Sequence, residues 1–174
     1  MNRGKSAKRR SGPPPGVIEE IRKRLSEREV HGMQALFALR ASAQQMDNAL
    51  NEWLAGTAGS FARFQILMAL SASKERGISH SEIVSAMDVT RATVSGLMAA
   101  LERDGLVKSS ADEKDGRKLV ARLTAKGETM TKKAFETSLD RFRVVFASVS
   151  EAELTRLTAL LHRIREGFAM SGPG

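Results

Sequence analysis

Residues 79 to 124 constrain the fold of this chain more than any other stretch. They read SHSEIVSAMDVTRATVSGLMAALERDGLVKSSADEKDGRKLVARLT. Ser79-His80-Ser81-Glu82 has the spacing of a capping box, in which the serine hydroxyl and the glutamate carboxylate each satisfy a free N–H at a helix start. Ile83, Val84 and Met87 then form one inward face. Asp88-Val89 makes a turn, and Thr90 caps a second helix. Val94, Leu97, Met98 and Leu101 recur at i, i+3, i+4 and i+7, a single buried face. Gly105 suits a left-handed stop. Leu106–Ser110 and Lys118–Leu123 read as strands, joined by the polar tip Ala111–Arg117 with Gly116 at its turn. The predicted order is helix, turn, helix, strand, tip, strand.

The composition of the second helix is informative on the side away from its apolar face. Arg91, Ala92, Thr93, Ser95 and Gly96 are small or polar, with one arginine. A helix lying in a major groove needs small residues for close approach, and Arg, Thr and Ser to meet base edges or phosphates. Thr90, at the helix start, and Ser79 and Ser81, at the start of the preceding helix, are candidates for phosphate contact. At the tip, Lys114, Asp115 and Arg117 cluster around Gly116. The Asp115 carboxylate is placed to steady the Arg117 guanidinium, and an arginine on a projecting tip suits a narrow minor groove. A solvated polar hairpin is the plainer reading of the tip taken alone. Behind a helix-turn-helix, the groove reading is preferred.

The flanks are helical in pattern. No proline occurs between Pro15 and Pro173, and proline is the strongest helix breaker. A first helix is expected from Val17 to about Ala55, with a break around Arg28–Gly32. Within it Leu36, Leu39, Ala43, Met46, Leu50 and Trp53 form a narrow seam suited to packing along another helix. Gly56–Gly59 is a loop, and Ser60 caps a helix to about Ser73 with Phe64, Leu67, Met68 and Ala69 inward. Gly77 ends that segment, and Ile78 begins a brief edge strand. Thr124 caps a long helix to about Ser148, with a seam at Phe135, Leu139, Phe142, Phe146 and Val149. Ser150 and Glu153 make another capping box. The last helix carries Leu154, Leu157, Leu161, Ile164 and Phe168, and is expected to end at Gly167–Gly174. Three seams around one reading unit suggest an antiparallel bundle between two copies of the chain.

Charge qualifies this picture. Net charge is +8 over 174 residues, but residues 1–16 supply +5 of it. Residues 79–123 hold seven cations and seven acids, so any groove-facing surface depends on placement rather than excess. The Gly- and Pro-rich arm at residues 1–16 is expected to be disordered, either adding phosphate contacts or serving as a solvated tail. The chain has no cysteine, which excludes disulfides, thiol redox sensing and Cys-based zinc sites, and fits a reducing cytoplasm. No apolar run is long enough for a membrane span. His31, His80 and His162 are scattered, and no phosphate loop, serine elbow or paired-histidine motif occurs. No enzyme activity, metal or cofactor is expected.

On these residues the sequence resembles the MarR family of transcriptional regulators over roughly residues 30–170. The capped helix-turn-helix SHSEIVSAMDVTRATVSGLMAALERDGLV and the segment DGRKLVARLTAKG carry the resemblance. In the second, the family's Asp-x-Arg falls on Asp115 and Arg117, and its Leu-Thr-x-x-Gly on Leu123, Thr124 and Gly127. The resemblance implies a mostly α fold with a small β-hairpin wing: a winged helix-turn-helix at residues 60–123 between dimerisation helices at 17–58 and 124–170, all in one domain from 17 to 174. It also implies a homodimer on pseudo-palindromic double-stranded DNA, and in many members release by a small aromatic anion. Two departures stand out: Gly96 replaces a long polar side chain common in the family, and the missing cysteine removes peroxide sensing.

The leading expectation is therefore a dimeric, sequence-specific regulator of transcription, most simply a repressor. A sequence-tolerant architectural DNA binder led by the basic arm is an alternative, as is a protein-interaction module that kept the winged helix without DNA. For an effector, Phe37, Arg40 and Arg63 combine aromatic rings and cations within apolar helical stretches, an anion-plus-aromatic arrangement. Arginines so placed more often make structural pairs or extend to solvent.

Overall fold

Capping residues set the boundaries of most helices in the computed structural model, which describes residues 15–73, 76–87, 89–111 and 119–172. The elements in order are α1 (Pro15–Arg22), α2 (Glu27–Leu54), α3 (Phe61–Ala72), β1 (Ile78–Ser79), α4 (His80–Met87), α5 (Arg91–Arg103), β2 (Val107–Ala111), β3 (Leu119–Leu123), α6 (Ala125–Phe146) and α7 (Glu151–Ser171). The chain forms two compact units, Met1–Phe64 and Gln65–Gly174. The expected arm at residues 1–16 lies almost wholly outside the described residues. No helix among the described residues is long and apolar enough to cross a membrane.

In the first unit, the expected break at Arg28–Gly32 falls earlier. Helix α1 ends at Arg22, and α2 begins behind Ser26. Ser26 and Glu29 form a capping box: the Ser26 N–H donates to Glu29 Oε2 at 2.8 Å, and the Glu29 N–H to Ser26 Oγ at 3.4 Å. This two-sided cap outweighs the weak helix propensity of Gly32, which sits inside α2. Along α2 the seam residues Leu39, Ala43, Leu50 and Trp53 are half-buried, while Leu36 and Met46 are exposed. The chain turns after Leu54 with Gly59 at φ +90° and its N–H donating to Leu54 O at 2.8 Å. Asn51 Oδ1 accepts from the Phe61 N–H at 2.9 Å, and the Ser60 hydroxyl accepts from the Arg63 N–H at 3.3 Å. These two contacts start α3 as Ser60 predicts.

The second unit holds the helix-turn-helix and its sheet. The inward residues of α3 are Ile66, Leu67 and Leu70; Met68 and Ala69, expected inward, are only half-buried. Strand order is β1-β3-β2, antiparallel throughout, with Ile78 opposite Ala121 and Ser109 also opposite Ala121 across the other edge. The brief edge strand at Ile78 is thus present. Ile83, Val94, Met98, Leu101, Leu106, Val107 and Val120 close the core.

Helix α6 differs from expectation in which face it buries. Its buried residues are Gly127, Thr131, Ala134 and Ser138, a stripe of small side chains at helical spacing. The two hydroxyls are satisfied within the helix, Thr131 Oγ1 donating to Gly127 O at 2.7 Å and Ser138 Oγ to Ala134 O at 2.8 Å. The aromatic seam lies on an exposed side, including Phe135, Leu139, Phe146 and Val149. Helix α7 starts at the Ser150–Glu153 capping box and has no buried residue. It runs through Gly167 and ends at Ser171, within the expected range Gly167–Gly174, because a single glycine lowers helix propensity without stopping the helix; Gly172 follows with φ +59°.

Candidate nucleic-acid interface

Helix α5 presents two chemically distinct faces. Val94, Met98 and Leu101 are 0–1% exposed, which fixes its rotation about its own axis. Arg91, Ala92, Thr93, Ser95 and Gly96 are consequently all exposed, together at the N-terminal half. Thr90 caps the helix: its hydroxyl accepts from the Thr93 N–H at 3.2 Å and lies 2.9 Å from Thr93 Oγ1. The two threonine hydroxyls and Arg91 therefore sit beside free helix-start N–H groups, a local field that favours an anion. Gly96 has no atom within 4 Å of where a Cβ would stand. Packing within the chain does not require a glycine at this position.

The start of α4 is built from the expected capping box. The Ser79 N–H donates to Glu82 Oε2 at 2.9 Å, the Ser79 hydroxyl to the same oxygen at 2.8 Å, and the Glu82 N–H to Ser79 Oγ at 3.3 Å. With the Ser79 proton committed to Glu82, Ser81, whose Oγ is 3.0 Å away, carries the outward hydroxyl of the pair. The backbone and then the side-chain hydrogen bond from Ser79 hold the Glu82 carboxyl down at about 2, and Arg76 adds to the effect. Ser26 and Ser150 lower Glu29 and Glu153 in the same way, chiefly through their hydroxyls.

The Glu82 shift has a pH consequence. Its folded pKa is depressed, so its contribution is complete above the ordinary value of 4.5 and is lost as pH falls towards about 2. Glu82→Gln is expected to melt below the wild type at neutral pH, with the gap closing as pH falls from about 5 to about 2.5. A gap that stays constant in circular-dichroism melts over that range would remove Glu82 as the titrating group.

Sequence reasoning missed a pair of cations that tie the sheet to α4. Arg76 Nη1 lies 2.7 Å from Glu82 Oε1. Arg122 Nη2 donates to Arg76 O at 3.3 Å, and Arg122 Nη1 donates to Ser110 Oγ at 3.2 Å. Glu102 on α5 accepts from Ser109 Oγ on β2. Both wing strands are thereby connected to the helix-turn-helix through side chains. Arg122 and Arg76 lie 46 residues apart, and neither gave a signal in the sequence.

The expected tip residues Lys114, Asp115 and Arg117 lie outside the described residues. Of the expected effector residues, Phe37 and Arg40 stand one turn apart on α2, both exposed. Arg63 is half-buried on α3, with its guanidinium against Gly59. A cleft of about 360 Å³ in the same unit is lined by Arg22, Leu25, Glu27, Val30 and His31, and by none of these three.

The model of the MarR family matches residues 60–118, which takes in α3 through β2. The HTH-type transcriptional repressor YetL of Bacillus subtilis is 26% identical over 129 residues, 74% of this chain and 77% of YetL. The HTH-type transcriptional regulator PecS of Dickeya dadantii is 27% identical over 154 residues, 86% of this chain and 91% of PecS. Residues 60–118 thus match the MarR family, and the chain is similar over most of its length to two regulators of transcription. The chain also shares its fold with S. aureus MepR, solved as a DNA complex: TM-score 0.68 at 21% identity, covering 76% of this chain and 94% of MepR.

Proposed function

We propose that this protein is a MarR-family regulator, a homodimeric, sequence-specific DNA-binding repressor that grips a pseudo-palindromic operator with one α5 helix per half-site. The observation that carries the reading is the division of α5: an apolar face locked in the core, and an exposed N-terminal face of Arg91, Thr93, Ser95 and Gly96. Thr90 and Ser81 set the phosphate register, and Arg117 enters the minor groove beside each half-site. The exposed apolar rows of α6 and α7, with Leu157, Leu161, Ile164 and Phe168 between 37% and 59% exposed, supply a surface for the second copy. YetL carries the name of a repressor, and MepR was solved on DNA; both support the reading.

Selection from a random duplex pool tests it, with enrichment of an inverted repeat as the expected result. On the selected duplex, Arg117→Ala is expected to weaken binding at least about tenfold with the dimer intact. Equal affinities in a gel shift at one fixed salt concentration would rule out the minor-groove role.

A further inference from the structure

The C-terminal end of α5 is held by the first turn of α6. Three successive carbonyls past the last turn of α5 point at that turn. Lys126 Nζ donates to Asp104 O at 2.8 Å, Thr124 Oγ1 to Gly105 O at 2.7 Å, and the Thr124 N–H to Leu106 O at 3.0 Å. The same Thr124 hydroxyl accepts from the Gly127 N–H at 3.0 Å and so opens α6. Gly127 is buried, and a Cβ there would overlap the Leu106 carbonyl oxygen. The helix meets the backbone of the α5–β2 turn with no side chain between them.

We infer that Thr124, Lys126 and Gly127 are positioning residues for duplex recognition: they join α5 to α6, so that the direction of α6 sets where the exposed face of α5 points. The inference rests on the proposed role of α5 in the groove. Lever arithmetic gives the joint its weight. Helix α5 has 13 residues and is about 20 Å long, so a tilt of about 5° at its held end moves its free end by about 1.7 Å. A shift of that size exceeds the tolerance of a hydrogen bond to a base edge. Phosphate attraction survives such a shift, because it depends on charge rather than on contact geometry.

The test uses the full chain, Thr124→Val, Thr124→Ser and Lys126→Met. The absence of native cysteine lets spin labels be placed cleanly at Ala99→Cys on α5 and Lys133→Cys on α6, both exposed positions. Labelled chains are diluted with excess unlabelled protein, and the α5–α6 distance distribution is measured without DNA. In parallel, affinities for the selected duplex and a random duplex are measured at one salt concentration. Thr124→Val and Lys126→Met are expected to broaden the distribution and to lower affinity for the selected duplex about tenfold, leaving random-duplex binding unchanged. Thr124→Ser, which restores the hydroxyl, is expected to recover both. An unchanged distribution, equal losses on both duplexes, or no recovery by serine overturns the inference. A wild type that prefers no duplex instead removes the groove role of α5, while the distance measurement still judges the joint. Gly127→Ala is left out of the test, since its failure to fold would report packing alone.

Discussion

Leu161→Asp together with Ile164→Asp is expected to yield a folded monomer that has lost at least about a hundredfold in affinity for a full operator. Leu161 and Ile164 are 37% and 42% exposed in the isolated chain, so carboxylates there meet water and leave helical content intact. In a dimer with α7 at its centre, the same substitutions bury four like charges without partners. Each such burial costs several kcal/mol, well beyond what the remaining apolar contacts of one seam can offset. A monomer then binds one half-site at a time, and the second half-site no longer benefits from a tethered partner. Light scattering gives the assembly state, circular dichroism the fold, and a duplex titration at fixed salt the affinity. A variant that remains a dimer would place the interface away from α7.

Gly96→Leu is expected to abolish selective duplex binding while raising, or leaving unchanged, the melting temperature. No atom lies within 4 Å of the position a Cβ would take, so a larger side chain enters open space in the free protein. Leucine also exceeds glycine in helix propensity by about 0.8–1 kcal/mol. Stability and binding should therefore move in opposite directions, which a merely structural glycine would not produce. If the backbone of α5 approaches the bases closely at Gly96, leucine displaces the whole helix, and a fall of about a hundredfold follows. Binding that tolerates leucine would mean instead that this position makes no close approach, and that selectivity rests on Arg91, Thr93, Ser95 and the tip.

The legible parts of the fold were those decided within a few residues. Thr90, Thr124, Ser150 with Glu153, and Ser79 with Glu82 all cap the helices the sequence assigned to them. Gly105 takes a φ of +70° where a left-handed stop was expected. Each is a cap or stop signal whose partners lie close by in the chain. Ser26 with Glu29 is equally local, and it starts α2 ahead of the break expected at Arg28–Gly32. The remaining features depended on tertiary contact. Nothing near Arg76 in sequence announces Arg122, and their contact forms only when β3 pairs with β1. The small stripe of α6 was hidden because Phe135, Leu139 and Phe142 dominate a hydrophobic pattern, whereas a buried face of Gly, Thr, Ala and Ser reads as neutral. The candidate site was legible for α5, whose buried face determines its exposed one, and illegible for the joint at Gly127, whose neighbour Leu106 comes from another element.

The caps and the seams are separate sets of residues, and this has a consequence for how such proteins diverge. In α7, Ser150 and Glu153 determine where the helix begins, while Leu157, Leu161, Ile164 and Phe168 determine what it can lie against. Because no side chain serves both purposes, a duplicated copy can change its choice of partner through the second set without disturbing its own fold through the first. In the proposed dimer, partner identity can drift, and mixed pairs with a sister chain can be gained or lost, while each subunit goes on folding as before.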